Sequence, residues 1–370
     1  MRTKSQHISI MLLFRINFVL AIIATIHCVQ GFHHTQKCPP TPAGDFTLHN
    51  YQLYPENAVW DPEHCLVYFS ALFNGSISPL SPTTHRGTPS QFHPPLTFHH
   101  LTLTDGHHAS GLHYTPATNL LTVVINSPKP FLTAGADVGG DNFLVQYDIK
   151  HGGEVWRVNL TETTLGRWGG FVDVGVVDTT TTTTTTRRAA YVVSSYPAGI
   201  LRVRGGKGGK REVAVWYGPR GETTVEGYTG CAVVGDVMLV AGMGAVWRFD
   251  LSKERGEPVR LVGVEGGTNR VKLPEAYGGR VALVSQGLVG VTVLRSRDGS
   301  WRSAEELGTI RSGFPRELER IVPSTVQVGP RRQYMVGQYF PGEIVPGTMA
   351  GNRSDFPMFD ITEEIEGLLT

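Results

Sequence analysis

The sequence predicts an all-β fold, a six-bladed β-propeller carrying a short C-terminal helix. Three observations lead there. First, 44 glycines and 23 prolines are 18% of the 370 residues, against about 12% in an average chain. Residues that punctuate turns are in excess, so the elements are many and short. Second, no stretch after residue 40 sustains a 3.6-residue apolar period, whereas short β-rich runs recur throughout. Third, these runs fall into six units spaced by about 45 to 70 residues, the order of length that a four-stranded propeller blade needs. A large sandwich, or two of them, is the alternative, and the six-fold count argues against it.

The units read as follows. The first pairs Ala58–Trp60 with Leu66–Ser70 across a turn at Asp61-Pro62-Glu63. In the second, Ala109–Tyr114 and Leu120–Ile125 flank Thr115-Pro116-Ala117, and Leu144–Asp148 and Val155–Asn159 follow. The third holds Phe171–Val177, Ala189–Ser194, Ile200–Val203 and Val213–Tyr217. The fourth holds Gly230–Val234, a Gly235-Asp236 turn, Val237–Ala241, Val246–Asp250 and Val259–Gly263. The fifth starts near Asn269, turns at Gly278-Gly279 and continues with Val281–Ser285 and Val291–Arg295. In the last, Thr325–Val328 and Gln333–Val336 flank Gly329-Pro330. Three segments read as exposed loops: the threonine tract Thr179–Thr186, the basic tip Gly205–Lys210 (GGKGGK), and the Pro/Thr/Ser-rich stretch Pro79–Pro95. Ile361–Leu369 is the short helix, packed outside the ring.

The N-terminus reads as an address. Arg2 and Lys4 precede an apolar run from Ile8 to Ile26, followed by Val29 and Gly31. This is the layout of a secretory signal peptide over residues 1–31, cleaved after Gly31. An uncleaved anchor is the alternative. The run is at the lower limit for spanning a bilayer, and Arg15 and Asn17 interrupt it. The expected product is a secreted, extracellular and monomeric propeller over residues 40–370, free of the membrane once the signal is removed. Asn74, Asn159 and Asn352 stand in N-x-[S/T] sequons and are candidate glycosylation sites. Cys28 leaves with the signal. Cys38 and Cys65 can close a loop in an oxidising compartment, a bond that contributes about 3–4 kcal/mol in the chain-entropy model. Spacing alone does not fix the pairing. Lys+Arg 33 against Asp+Glu 32 gives a net charge of +1, so nothing points to a nucleic-acid partner.

In a propeller, the inner strand of every blade starts at one face around a central channel. Polar residues at those starts therefore converge, however far apart they lie in sequence. By this rule the candidates are Glu56 and Asn57, His107 and His108, Asp173, Thr229 and Asn269. Glu56 and Asp173 could hold a hard cation such as Ca²⁺ together with amide oxygens. His107 and His108 are neighbours on a strand and point to opposite faces, so at most one of them lines the channel; His108 or His107 could serve as general base, and His108 is the candidate catalytic residue. Hydrogen bonding from blade to blade, with nothing bound, accounts for the same residues. No GxSxG elbow, HExxH helix or CxxC pair occurs.

Tyr54–Ser70 (YPENAVWDPEHCLVYFS) resembles the first blade of SMP-30/gluconolactonase/strictosidine-synthase-like propellers. That resemblance implies a metal-binding or site-lining role for Glu56. The other ligand positions depart from that family, reading Phe171-Val172-Asp173 and Tyr228-Thr229-Gly230. A broader resemblance runs through GHHASG (106–111), GDNFLVQYD (140–148), GGFVDV (169–174), SYPAGILRV (195–203), LRSRDGSW (294–301) and AGNRSDFPMFDIT (350–362). These segments look like the secreted fungal proteins associated with trichothecene biosynthetic clusters. The resemblance implies a propeller with an accessory or virulence role in secondary metabolism, binding a small-molecule metabolite over the channel. The alternative expectation is a Ca²⁺-dependent lactonase-like hydrolase. A glycan-binding or protein-docking propeller is a third class, for which Trp168 and Tyr196 are the candidate exposed aromatics.

Overall fold

The computed structural model describes residues 38–370, apart from 42, 83–90, 102–105, 183–184, 219–226, 265–266, 288, 315–320 and 341. The expected signal peptide lies outside the described residues, as does part of the threonine tract and of the loop expected over 79–95. The segment 38–370 is one compact unit.

It is a six-bladed propeller of six four-stranded antiparallel sheets. Five blades are consecutive in sequence: strands β2–β5 (Pro55–Phe92), β6–β9 (His108–Asn159), β10–β13 (Gly169–Tyr217), β14–β17 (Tyr228–Gly263) and β18–β21 (Arg270–Arg311). The sixth combines β22 (Ile321–Val328), β23 (Arg332–Tyr339) and β24 (Asp355–Asp360) with the N-terminal strand β1 (Phe46–His49). Phe46 opposes Met358 and His49 opposes Asp355 across that seam. Leu48 is fully buried there, and the Phe46 ring meets Tyr334 edge-on at 5.1 Å. Joining the first strand to the last blade closes the ring, with β1 as the outer strand of that sheet.

The strand expectations match the observed strands to within a few residues. Three features were not expected. The closing strand β1 is four residues long, too short for its alternation to stand out. The inner strand of the fifth blade is only Arg270–Lys272, and two of its three residues are charged. Pro79–Ser81 ends a strand and Gln91–Phe92 forms another, so the stretch taken as one long loop supplies blade edges. The C-terminal helix spans Thr362–Leu369 and buries Ile365 against the outer part of the molecule. Cys38 and Cys65 are joined by a disulfide that ties the segment before β1 to the first hairpin.

The chemistry of the channel depends on how the inner strands are built. The first strands of successive blades contact one another around the axis. Four of them carry a register shift near their start: between Pro55 and Ala58, Ala109 and Leu112, Phe171 and Asp173, and Tyr228 and Gly230. A bulge turns a side chain off the ladder and frees peptide groups from it. Close approach needs missing side chains. A Cβ on Gly111 would lie 2.5 Å from Asp173 Cα, and one on Gly230 would lie 3.0 Å from Arg270 Cα. Glycine at these two positions lets neighbouring inner strands touch backbone to backbone.

Candidate functional site

The bulges deliver Glu56, Asn57, Asp173 and Thr229 to the channel, where two cations of the fifth blade meet them. The Arg270 guanidinium pairs with Glu56 Oε1 through Nη2. Its Nη1 donates to the carbonyls of Thr229 at 2.8 Å and Val172 at 3.1 Å, and stands 3.8 Å from Asp173 Oδ2. Both carbonyls belong to bulge residues, whose peptide groups the ladder has released. Asp173 accepts from Asn57 Nδ2 at 3.1 Å, from its neighbour Val174 N at 3.0 Å and from Cys231 N at 3.1 Å. Lys272 Nζ donates to Asn57 Oδ1 at 2.7 Å. One connected network therefore spans blades one, three, four and five.

Burial sets its charge states. Loss of water raises Glu56 to about 7, against the pull of the Arg270 guanidinium. Burial lowers the Lys272 ammonium from its ordinary value; Asp173 pulls it back and Arg270 pushes it further down. Burial raises the Cys231 thiol well above its usual range, so it is a neutral thiol and an inert packing group.

The remaining expected residues are placed differently. Thr229, whose carbonyl serves Arg270, donates through Oγ1 to Ala241 O at 3.2 Å within its own blade and to Thr268 O at 2.8 Å on the connection to the fifth. His108 is buried edge-on against Phe73 at 5.2 Å, its Nε2 has no partner, and burial lowers it to about 4. His107 packs against Phe143 with ring centres 5.9 Å apart. Asn269 uses its backbone N–H on Ser285 O and makes no described contact with Glu56 or Asp173. Two of the three sequon asparagines are engaged: Asn74 Nδ2 donates to Gln52 O, and Asn159 caps the helix Leu160–Thr164 while donating to Asp141. Asn352 is exposed. Tyr196 is buried and Trp168 packs over Gly199, so neither forms a projecting aromatic platform.

A divalent cation does not fit this donor set. Ca²⁺ needs six to eight oxygens. Here one oxygen of Glu56 is taken by a guanidinium, Asp173 by amide donors and Asn57 Oδ1 by an ammonium. The Arg270 guanidinium and the Lys272 side chain already occupy these oxygens. Among the described residues, no three His, Cys, Asp or Glu side chains gather as a metal site. The carboxylates converge as the inner-strand rule expects, and the cation they converge on belongs to the chain.

Beyond this network lies a cavity of about 240 Å³. Its walls include Trp60, Leu112, Tyr114, Val174, Val233 and Leu273 from the later halves of the inner strands. Lys272, His113 and Cys231 add polar atoms, and exposed Glu275 stands at the rim. His113 is lowered to about 4, first by burial and then by Lys272, so it is neutral. The choice of residues at strand starts passed over Arg270, Lys272 and His113. A legible signal existed for the first two: basic residues two apart in a strand share a face, and only a channel or solvent would accept them there.

Arg270→Met should leave Glu56 and Asp173 buried without their counter-charge and cost about 3–5 kcal/mol in urea denaturation. A loss below about 1 kcal/mol would show the network to be incidental. Glu56 also carries a pH dependence of known sign. Its folded value, about 7, is above the ordinary 4.5. The stability from its proton is therefore complete below the ordinary value and lost as pH rises towards the folded one. Relative to Glu56→Gln, the native protein should lose up to about 1.4 kcal/mol per pH unit across that window. A difference that does not vary with pH would contradict the assignment.

No family profile matches the chain. It is 30% identical over 352 residues to trichothecene biosynthesis protein 14 of Trichoderma arundinaceum, covering 90% of this chain and 92% of that one. It is 28% identical over 353 residues to core trichothecene cluster protein 14 of Fusarium sporotrichioides, covering 90% and 89%. Among solved structures it is similar to the major allergen Mala s 1 of Malassezia sympodialis, with a TM-score of 0.65 at 20% identity over 87% of this chain and 96% of that one. A luciferin-regenerating enzyme aligns with a TM-score of 0.50 at 12% identity, over 85% and 95%. Both structural likenesses speak to the propeller fold. The level and span of the first sequence match show that the chain belongs to the family of trichothecene biosynthesis protein 14.

Proposed function

We propose that this protein is a secreted, monomeric accessory protein of trichothecene-type secondary metabolism that holds a small apolar metabolite in its central channel. The observation that carries the reading is the cavity itself. It combines apolar and aromatic walls with a few polar groups, Lys272, His113, Thr325 and Gln333 among them, the composition of a small-molecule site. Its size, about 240 Å³, is below the roughly 300–1,000 Å³ usual for drug-sized ligands, so it fits only a small molecule. Kinship with proteins named for trichothecene biosynthesis supplies the chemical context. The channel offers no activated nucleophile: Cys231 is a neutral thiol, and both His108 and His113 are too weakly basic to activate water near neutral pH. Retention rather than turnover is the reading these groups support.

Trp60 lines the cavity and reports on it. Titration with a panel of trichothecenes and their less oxygenated sesquiterpenoid precursors should change Trp60 fluorescence saturably, at one site per chain. Trp60→Phe should abolish the signal. Leu273→Trp, which fills the mouth, should weaken binding at least tenfold at unchanged thermal stability. Binding that survives Leu273→Trp would place the ligand elsewhere, and no binding across the panel would remove the proposal.

Secretion is tested separately. The protein recovered from culture medium should begin after Gly31. Asn352→Gln should remove a glycosidase-sensitive mass, whereas Asn74→Gln and Asn159→Gln should leave it, because those side chains serve internal hydrogen bonds. Retention of residues 1–31 would favour the membrane-anchored alternative.

A further inference from the structure

Lys272 is the one charged side chain that belongs to both the ion-pair network and the cavity. Its Nζ makes a single described hydrogen bond, to the neutral amide oxygen of Asn57 at 2.7 Å. An ammonium has three donors, so two remain without a partner. Among the described residues no carboxylate reaches Nζ within ion-pair distance, although the network contains two. Glu56 pairs through Oε1 with Arg270, its Oε2 making no described hydrogen bond, and Asp173 accepts from the Asn57 amide and the backbone N–H groups of Val174 and Cys231. Lys272 is half-buried at the cavity wall, and a partly desolvated ammonium with no counter-charge in contact has a place for one. Asp173 and Glu56 act on it only from beyond contact, and Arg270 opposes them.

We propose that Lys272 is the anchor of the cavity and that the ligand is an apolar small molecule bearing one carboxylate, which enters carboxylate first and takes the two open donors of Nζ. The inference rests on the cavity being a metabolite site and adds the chemical class of its occupant. The surrounding groups permit an anion there. His113 and Cys231 on the wall are uncharged, and Glu275 sits at the solvated rim, where its field is screened. Glu56 is raised to about 7, so near neutrality part of the population carries its proton. An incoming carboxylate would give the Lys272 ammonium the contact counter-charge that the network does not supply. The apolar walls of Leu112, Val174 and Leu273 take the hydrocarbon body. An ammonium–carboxylate contact in such a setting is charge-assisted on both sides, the stronger kind of hydrogen bond.

The experiment uses the full-length secreted protein and three probes of equal chain length, decanoate, 1-decanol and decyltrimethylammonium, titrated by Trp60 fluorescence and calorimetry at neutral pH. Decanoate should bind at least tenfold more tightly than 1-decanol, and the cationic probe should not bind. Lys272→Met should remove the advantage of decanoate while leaving 1-decanol unchanged, and Lys272→Arg should retain most of it. Should Lys272→Met fail to fold, the ranking of the three probes on the native protein still decides. Equal affinity of decanoate and 1-decanol, both lost in Leu273→Trp, would overturn the anion site and leave the cavity reading standing. A decanoate preference that persists in Lys272→Met would also overturn it, placing the anion elsewhere. Absence of all binding would remove the anion site, and the trichothecene titration then decides separately whether the cavity reading stands.

Discussion

The contact on which the channel depends is that of the Arg270 guanidinium with Glu56 and with the bulge carbonyls of Val172 and Thr229. A propeller has a weak point at its axis, where six inner strands meet edge to edge with their polar groups pointing inward. Water or a metal ion can satisfy those groups. Here a planar cation with a fixed fork of donors does so from inside the chain. It reaches the first, third and fourth blades from the fifth. The arrangement needs bulges to free the carbonyls and Gly111 and Gly230 to let the strands approach.

A metal-centred channel and this one start from the same carboxylate. The sequence led to the expectation that Glu56 holds a metal, yet its partner is a guanidinium. Replacing an ion by a side chain changes what the channel can do. A bound Ca²⁺ presents open coordination positions that polarise a substrate. Arg270 spends its charge on groups of the protein and presents nothing comparable. What stays available is the space beyond it and the ammonium of Lys272 at its inner end. Lys272 is the member of the network that also lines the cavity.

Much of the fold was legible because blade strands are repetitive and their turns are marked by glycine, proline and aspartate. The closing strand Phe46–His49 was not, since four residues carry too little alternation to distinguish a strand from a tail. In the channel, the rule that polar residues gather at inner-strand starts found Glu56, Asn57, Asp173 and Thr229. His107, His108 and Asn269 make no described hydrogen bond to that network; for the two histidines, a bulge in their strand decides which neighbour faces the axis, and bulges leave no dependable mark in a single sequence. Arg270 and Lys272 were passed over for a related reason. Their strand is three residues long, and a short charged stretch reads as surface unless the opposing carboxylates are already in view. Two distant segments had to be placed together before the pairing could be seen.

The most direct test of a channel closed by its own cation is the metal content of the purified protein by elemental mass spectrometry. It is measured before and after chelation and Ca²⁺ reloading, in the native chain and in Glu56→Ala. We expect no stoichiometric Ca²⁺ in either protein and no change in the native melting temperature on chelation. One Ca²⁺ per native chain, absent from Glu56→Ala, would show that the carboxylates serve an ion, and the role assigned to Arg270 would be wrong.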